Sequence, residues 1–508
     1  MILIEMVGAI DAAGTTRTVF LSDSSFCTRP TDTPPNTAFK QVLLDPGSIG
    51  VHAYSDGRTT GGAAKLETGE VVVINVDGRF DAWLDYAFDG RPITIRQGEA
   101  GAYPADFPVI FNGTVESIEA NKDTTVIRLR DKLYVLTAPI LTNRYAGTNV
   151  LPIGLEGSPD DIQGRLKCRV WGTVLNMAPV LVNSAKLTYQ VNDGAVADIP
   201  AVYDRGAAVT KGVNYATSAL LQAVTPAAGT YVTCFAEGLF RLNTSPSGQI
   251  TADVTEGANA AARTVGQILK RMAIATGLPA AEVSAADVAA LDALNSAVVG
   301  IVVDGESAGQ AAMDLVAASI GAWYGFDGLG LLRMGVLTAP AGAPVLELFE
   351  FHIGAEIERR PARDNGIPAW RVVVNYARNW TVQNSDIAGV VTPARRGFLS
   401  LANRSANASD EKVRVKHLLA GELTADTLLA SAVDAQTEAD RLKGLYSVRR
   451  DIFEVPVDAR LLQRRPLFFM DVVRLTYGRF GLDAGKLFRV IGIRPELKEQ
   501  KITLSLWG

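Results

Sequence analysis

The sequence predicts a multidomain, mainly β protein with a small α+β unit set in its middle. Three observations lead there. The chain's 508 residues exceed the roughly 250–300 at which a single core stops growing. Short alternating or β-branched runs, bounded by Gly, Pro, Asn and Asp, fill both ends of the chain. Helical periodicity is concentrated between them, over about 258–344, and returns once at Ser431–Tyr446.

Taken in order, residues 1–140 read as a first β domain. Val71–Val76 is a β-branched run and Arg91–Arg96 alternates. Val109–Ile118 and Thr124–Leu129 read as a pair joined across Ala120–Asp123. The aromatic segment Asp77–Gly90 is closed at both ends by Asp-Gly turn chemistry. Pro30–Pro35 and Ser55–Gly62 read as loops. Asn143–Pro159, rich in Gly, Pro and Asn, marks a boundary, and 141–257 is expected to form a second β-rich domain. Its strands are read at Cys168–Val170, Leu187–Val191, Val202–Tyr203, Tyr231–Phe235 and Thr251–Val254.

The middle unit, 258–344, opens with a helix over Ala261–Ala275, ended by Gly277-Leu278-Pro279. A second helix over Ser284–Leu294 has Ser284 as N-cap. A buried-type strand, Val298–Val303, precedes a helix over Ser307–Ile320, and Ala322–Phe326 and Leu331–Val336 flank a turn at Asp327–Gly330. Residues 345–508 are β-rich again and are expected to complete a second barrel, from about 345–405 plus 450–508. Its strands are read at Trp370–Tyr376, Ile452–Val457, Asp471–Leu475, Leu487–Ile493 and Ile502–Leu506, with Ser405–Lys412 as a polar loop.

Composition excludes several classes. A net charge of −5 gives a whole-chain field that does not favour nucleic acid or anionic membrane, and leaves only a local basic face for such contacts. Cys27, Cys168 and Cys234 are too few and too far apart for a disulfide framework or a metal spacing, and read as reduced, packed thiols. His52, His352 and His417 are the only histidines, which argues against a His-based metal centre. The N-terminus lacks a basic region and a long apolar core, and no run approaches a membrane span. A soluble protein made in a reducing cytoplasm is the expectation, with no cofactor.

The sharpest enzyme-like signal is Gly305-Glu306-Ser307-Ala308-Gly309, a literal G-x-S-x-G between an apolar strand and a helix. In α/β hydrolases that context places a serine on a strained elbow beside a histidine base. Here only His352 and His417 follow the serine, no HGGG-type segment precedes it, and the parallel strand–helix alternation is missing. The preferred reading makes Ser307 an N-cap; the alternative is a serine esterase with Ser307 as nucleophile. Asp77, Asp81, Asp85 and Asp89 lack calcium-loop spacing and read as acids facing solvent. The pairs Arg359-Arg360, Arg395-Arg396, Arg449-Arg450 and Arg464-Arg465 read as solvated faces or subunit salt bridges. Trp323, Tyr324 and Phe326 are expected to pack a core. No catalytic, cofactor-binding or metal-binding residue is assigned.

Several segments together resemble the central hub and tail-tip proteins of tailed bacteriophages and gene-transfer particles. Phe111-Asn112-Gly113-Thr114-Val115, with Val126–Arg130 and Asp131-Lys132-Leu133, is similar to their N-terminal barrel signature. Thr264–Thr276 followed by Gly305–Gly335, with the run Gly321-Ala322-Trp323-Tyr324, resembles their middle unit. Ala435–Leu442, Ile452–Val457, Met470–Val473, Gly485–Val490 and Ile502–Leu506 resemble the closing barrel. Residues 141–255 lie outside the resemblance.

The resemblance implies tail-tube-like β-barrels in the N- and C-terminal parts and a structural, non-enzymatic baseplate or tail-tip hub. It implies a homotrimer in the virion tail, adapting a sixfold tube to a threefold spike or fibre, with DNA passing through its lumen. The implied partners are further copies of the chain, tail tube, distal tail and tape-measure proteins, and spike or receptor-binding fibre proteins. No sequence-specific nucleic acid and no stable membrane anchor are implied. A secretion-machine assembly protein of the same fold is a third class.

Overall fold

The computed structural model describes residues 1–54, 61–150, 154–362, 366–464 and 467–508. Most of the loop expected at Ser55–Gly62, part of the boundary at Asn143–Pro159, and Arg465 lie outside the described residues.

The first sheet is built mostly from antiparallel neighbours. In spatial order it runs Thr16–Ser22, Ile2–Ala9, Pro92–Gln97, Val109–Ala120, Thr124–Arg130 and Val71–Ile74. The expected pairing of the two strands around Ala120–Asp123 is present, with Val115 opposite Leu129. What closes the sheet is the short segment 38–45. Its first half, Ala38–Gln41, lies parallel to Thr16–Ser22, and its second, Leu43–Asp45, lies antiparallel to Val71–Ile74. Between them, the Val42 N–H donates to the Ser22 carbonyl at 3.0 Å and its carbonyl accepts from the Ile74 N–H at 2.9 Å. A sheet whose two ends meet on one strand is a barrel with no free edge there. Ile4, Met6, Leu21, Val73, Ile95, Phe111 and Ile127 fill it. The Asp77–Gly90 segment contributes Phe80, Trp83 and Phe88 to that core around the short 3-10 helix Asp81–Asp85.

The second sheet runs, in order, Val180–Asn183, Thr188–Gln190, Leu239–Leu242, Thr230–Cys234, Ala207–Asn214, Asp198–Asp204, Ile250–Thr255, Arg169–Met177 and Gly300–Val303. Its last strand was expected in the middle unit. It pairs instead with Arg169–Met177, Gly172 facing Gly300, so the sheet crosses the expected boundary at 257.

The middle helices are Val265–Ala275, Ala285–Leu294 and Gly309–Ala318. Thr264 and Ser284 cap the first two, accepting from the N–H groups of Gln267 and Asp287. The third begins two residues later than expected, with Ala308 rather than Ser307 at the N-cap and no side-chain cap. The hairpin Ala322–Phe326 and Leu332–Val336 follows, and every residue of its first strand is buried, including Trp323, Tyr324 and Phe326.

The C-terminal part differs from the expectation in one respect. Arg371–Tyr376 does not join the second barrel; it pairs with Arg404–Ser409 and Glu422–Asp426 in a separate three-stranded sheet, under the helix Ala432–Tyr446. Arg404–Ser409 lies largely in the segment expected as a polar loop. A strand with one wet face needs few apolar residues, because its ladder bonds are main-chain; here Ala408 is its one buried residue.

The second barrel comprises Val472–Tyr477, Leu482–Glu496, Lys501–Trp507 and Asp451–Asp458. Its two end strands are lined by one run of chain, 346–361, whose two strands do not pair with each other. Leu346–Leu348 lies parallel to Val472–Tyr477, and the chain then turns so that Glu358–Pro361 lies antiparallel to Asp451–Asp458. Leu348, Phe453, Val455, Leu475, Phe488, Val490 and Leu504 form its core.

A strap from the first barrel ties these parts together. Ile49–His52 adds to the second barrel beside Leu482–Glu496 and pairs back with Lys65–Thr68. Gly62–Ala63 runs parallel to Ala322–Phe326. The Tyr54 hydroxyl donates to the Gly321 carbonyl at 2.6 Å. No helix among the described residues is long and apolar enough to cross a membrane.

Candidate functional site

Ser307 sits between the strand Gly300–Val303 and the helix Gly309–Ala318, as the motif requires. The remaining elbow geometry does not follow. Its strand pairs antiparallel at the edge of a mixed sheet rather than standing at the centre of a parallel one. Ser307 is exposed and is not among the residues with positive φ. A Cβ built on Gly305 would meet nothing within 4 Å, so that glycine relieves no crowding. His352 is held in the short 3-10 helix Glu350–His352, where its Nδ1 accepts from the Phe349 N–H at 3.2 Å. His417 follows the helix Glu411–Lys416. Neither histidine hydrogen-bonds to Ser307 among the described residues, so the structure brings no base to this serine.

The acidic ladder lies on the surface. Asp77 pairs with Arg79 and Asp81 accepts from the Asn75 amide, while all four aspartates are exposed. No group of three or more His, Cys, Asp or Glu suited to a metal occurs among the described residues. Three of the paired arginines make contacts within the chain. Arg359 donates to both Asp451 oxygens at 3.0 Å, Arg360 reaches Glu454, and Arg450 lies over the Trp507 ring. Cys27 is exposed; Cys168 and Cys234 are buried, and burial pushes the Cys168 thiol up to about 12.

A buried polar cluster joins the second sheet to the segment after the Arg371–Tyr376 strand. Asp253 accepts from the Asn176 N–H and the Tyr203 hydroxyl, both at 2.8 Å. Arg395 donates to the Asn176 side chain at 2.8 Å and stacks 3.7 Å from the centre of the Tyr203 ring. Burial raises the Asp253 carboxyl above its ordinary value near 3.8, and burial with Asp253 beside it pushes Tyr203 up to about 12. Folded Asp253 therefore keeps its proton at a higher pH than it does unfolded. Across that window the native state binds more protons, and this group's contribution to stability falls as pH rises. Unfolding of wild type and Asp253→Asn, compared across pH, is expected to show the wild type losing ground as pH climbs above 3.8; a difference independent of pH would refute the assignment.

Two surfaces face outward without such partners. At the rim of the second barrel, Phe349 and Phe351 stack with ring centres 5.6 Å apart, and Phe351 is 81% exposed. The turn carrying Phe480 lies beside them: a Cβ on Gly478 would stand 3.7 Å from the Glu350 carboxylate. On the three-stranded sheet, the helix Glu411–Lys416 and its following turn expose Val415, Leu418 and Leu419. Sequence reasoning missed both, because an exposed Phe or Leu is indistinguishable from a core residue in one sequence.

The fold defines a multidomain, mainly β protein with barrel-like sheets at both ends and a helical middle. No family model and no curated protein matches the chain. It is similar in structure to a 43 kDa tail protein of prophage MuSo2 from Shewanella oneidensis, with 12% identity, a TM-score of 0.41, and coverage of 100% of this chain and 98% of that one. It is similar also to a tail protein from Neisseria meningitidis MC58, with 11% identity, a TM-score of 0.43 and 93% of each chain covered. A chain from the virion of a native gene transfer agent shows 15% identity and a TM-score of 0.42, over 68% of this chain and 85% of that one.

Proposed function

We propose that this protein is a structural component of a phage-type tail, a homotrimeric hub at the distal end of the tail tube. The observation that carries the reading is the pair of barrel-like sheets in one chain, each lined by a segment lying parallel to one end strand and antiparallel to the other. Two alike barrels per chain give three chains six similar surfaces, and closed cyclic symmetry then matches a sixfold tube on one side and a threefold spike or fibre on the other. The segments quoted for the resemblance fall on these barrels and on the middle unit, except Ala435–Leu442, which lies in the helix Ala432–Tyr446. The strap through Ile49–His52 and Gly62–Ala63 would hold the two barrels of one subunit at a fixed separation, as a ring of six requires. On this reading the divisions near 140 and 344 bound the two barrel parts, and the β-rich and helical parts between them share the strand Gly300–Val303. The lumen of the ring passes DNA, and the partners are tube, distal tail, tape-measure and spike or fibre proteins.

The test is the mass of the purified full-length chain by light scattering, with electron microscopy of the particles. A trimer forming a ring with six barrels is expected. A dimer, or a trimer whose barrels do not alternate around one axis, would overturn the hub reading. Ser307→Ala is expected to leave that mass unchanged and to abolish no ester cleavage; loss of a measurable esterase activity in the variant would restore the hydrolase.

A further inference from the structure

The whole-chain charge is negative, yet one projection is both cationic and apolar. The helix Glu411–Lys416 is fixed from below: Asp410 caps it, Val413 is buried, and Arg414 lies 5.1 Å over the Trp370 ring while pairing with Glu411. Its outer side and the turn after it carry Val415, Leu418 and Leu419, at 79%, 89% and 82% exposure. Lys412 and Lys416 flank them, both exposed and without an ion-pair partner among the described residues.

We propose that this projection is a reversible lipid-contact tip: Val415, Leu418 and Leu419 enter the interface of an anionic bilayer, and the Lys412 and Lys416 ammonium groups meet its phosphates. The chemistry selects lipid over a protein partner. Protein interfaces favour aromatic rings and are depleted in lysine, whereas this tip has no aromatic residue on its outer side and two free lysines. An apolar centre with a lysine rim is the arrangement of interfacial membrane segments, whose long side chains carry the amine back to the headgroups. Rigid anchoring matters as well, because a tip already ordered loses little freedom when it inserts. The inference stands independently of the tail reading.

The test is co-sedimentation of the full-length chain with vesicles of phosphatidylcholine alone or mixed with phosphatidylglycerol. Binding to the mixed vesicles is expected to be stronger by about tenfold or more, and to weaken as salt is raised. The double variant Leu418→Glu/Leu419→Glu should lose about tenfold or more of that binding, as removal of the inserted apolar area requires. Lys412→Glu/Lys416→Glu should also bind more weakly. Val433→Glu, at a residue 75% exposed on another helix, should bind as wild type does, and unchanged circular dichroism would show that the variants fold. The proposal is overturned if wild type ignores the anionic vesicles, or if the double leucine variant binds them equally well. It is overturned too if that variant changes the oligomeric mass without lipid, which would make the tip a contact between copies.

Discussion

Replacing Glu438 by Gln is expected to destabilise the protein by about 3–5 kcal/mol, the cost of leaving a buried charge without its partner. Glu438 is 2% exposed on the helix Ala432–Tyr446 and accepts from Arg441 at 2.6 and 2.8 Å. The same guanidinium donates to the Leu337 carbonyl at 3.0 Å and the Ile320 carbonyl at 2.9 Å, so it fastens this helix to the middle unit. Burial alone would pull the Arg441 guanidinium down, but the Glu438 carboxylate outweighs it and the net shift is upward. Chemical denaturation followed by intrinsic fluorescence reads the loss. A variant as stable as wild type would show that water or a relaxed helix compensates the charge. Removing both charges, Glu438→Leu with Arg441→Met, should recover much of the deficit, since an apolar pair of similar volume often substitutes for a buried ion pair.

The second large effect is expected at Gly172→Ala. Gly172 has φ +78, and a Cβ there would stand 1.9 Å from the Val299 carbonyl oxygen. The left-handed backbone alone costs an alanine about 1–3 kcal/mol, and the backbone clash adds to it because no side chain can move aside. Gly300 faces it in register, and a Cβ there would stand 1.9 Å from the Thr173 carbonyl oxygen. Alanine at either position should peel Gly300–Val303 from the second sheet, seen as faster amide exchange at Gly300–Val303 and a lower unfolding midpoint. Gly305→Ala is the control: with nothing within 4 Å of its Cβ, it should change neither. Equal exchange in Gly172→Ala and Gly305→Ala would show that the two strands separate without cost.

Much of the local structure was legible. The alternation in Val109–Ile118 and Thr124–Leu129 gave a hairpin, because period-2 burial fixes register wherever one face is covered. Thr264 and Ser284 cap helices because their oxygens reach a free N–H three residues on, a contact local in sequence. The reading of Ser307 failed for a complementary reason. A serine before a helix is a cap only if the chain turns at that residue, and here packing of Gly309 against the Leu136 carbonyl and the Thr276 side chain sets the helix start two residues later.

By itself, then, the sequence determined many of the strands and helices and that the chain divides into β-rich ends and a helical middle. Tertiary structure alone decided which strand pairs with which. The segments 38–45 and 346–361, the strap at Ile49–His52, the transfer of Gly300–Val303 to the second sheet and the polar strand Arg404–Ser409 are all held by main-chain ladders. Every residue but proline offers the same N–H and C=O, so side-chain pattern cannot name the partner; the choice falls to whichever sheet edge the folded chain leaves open beside it.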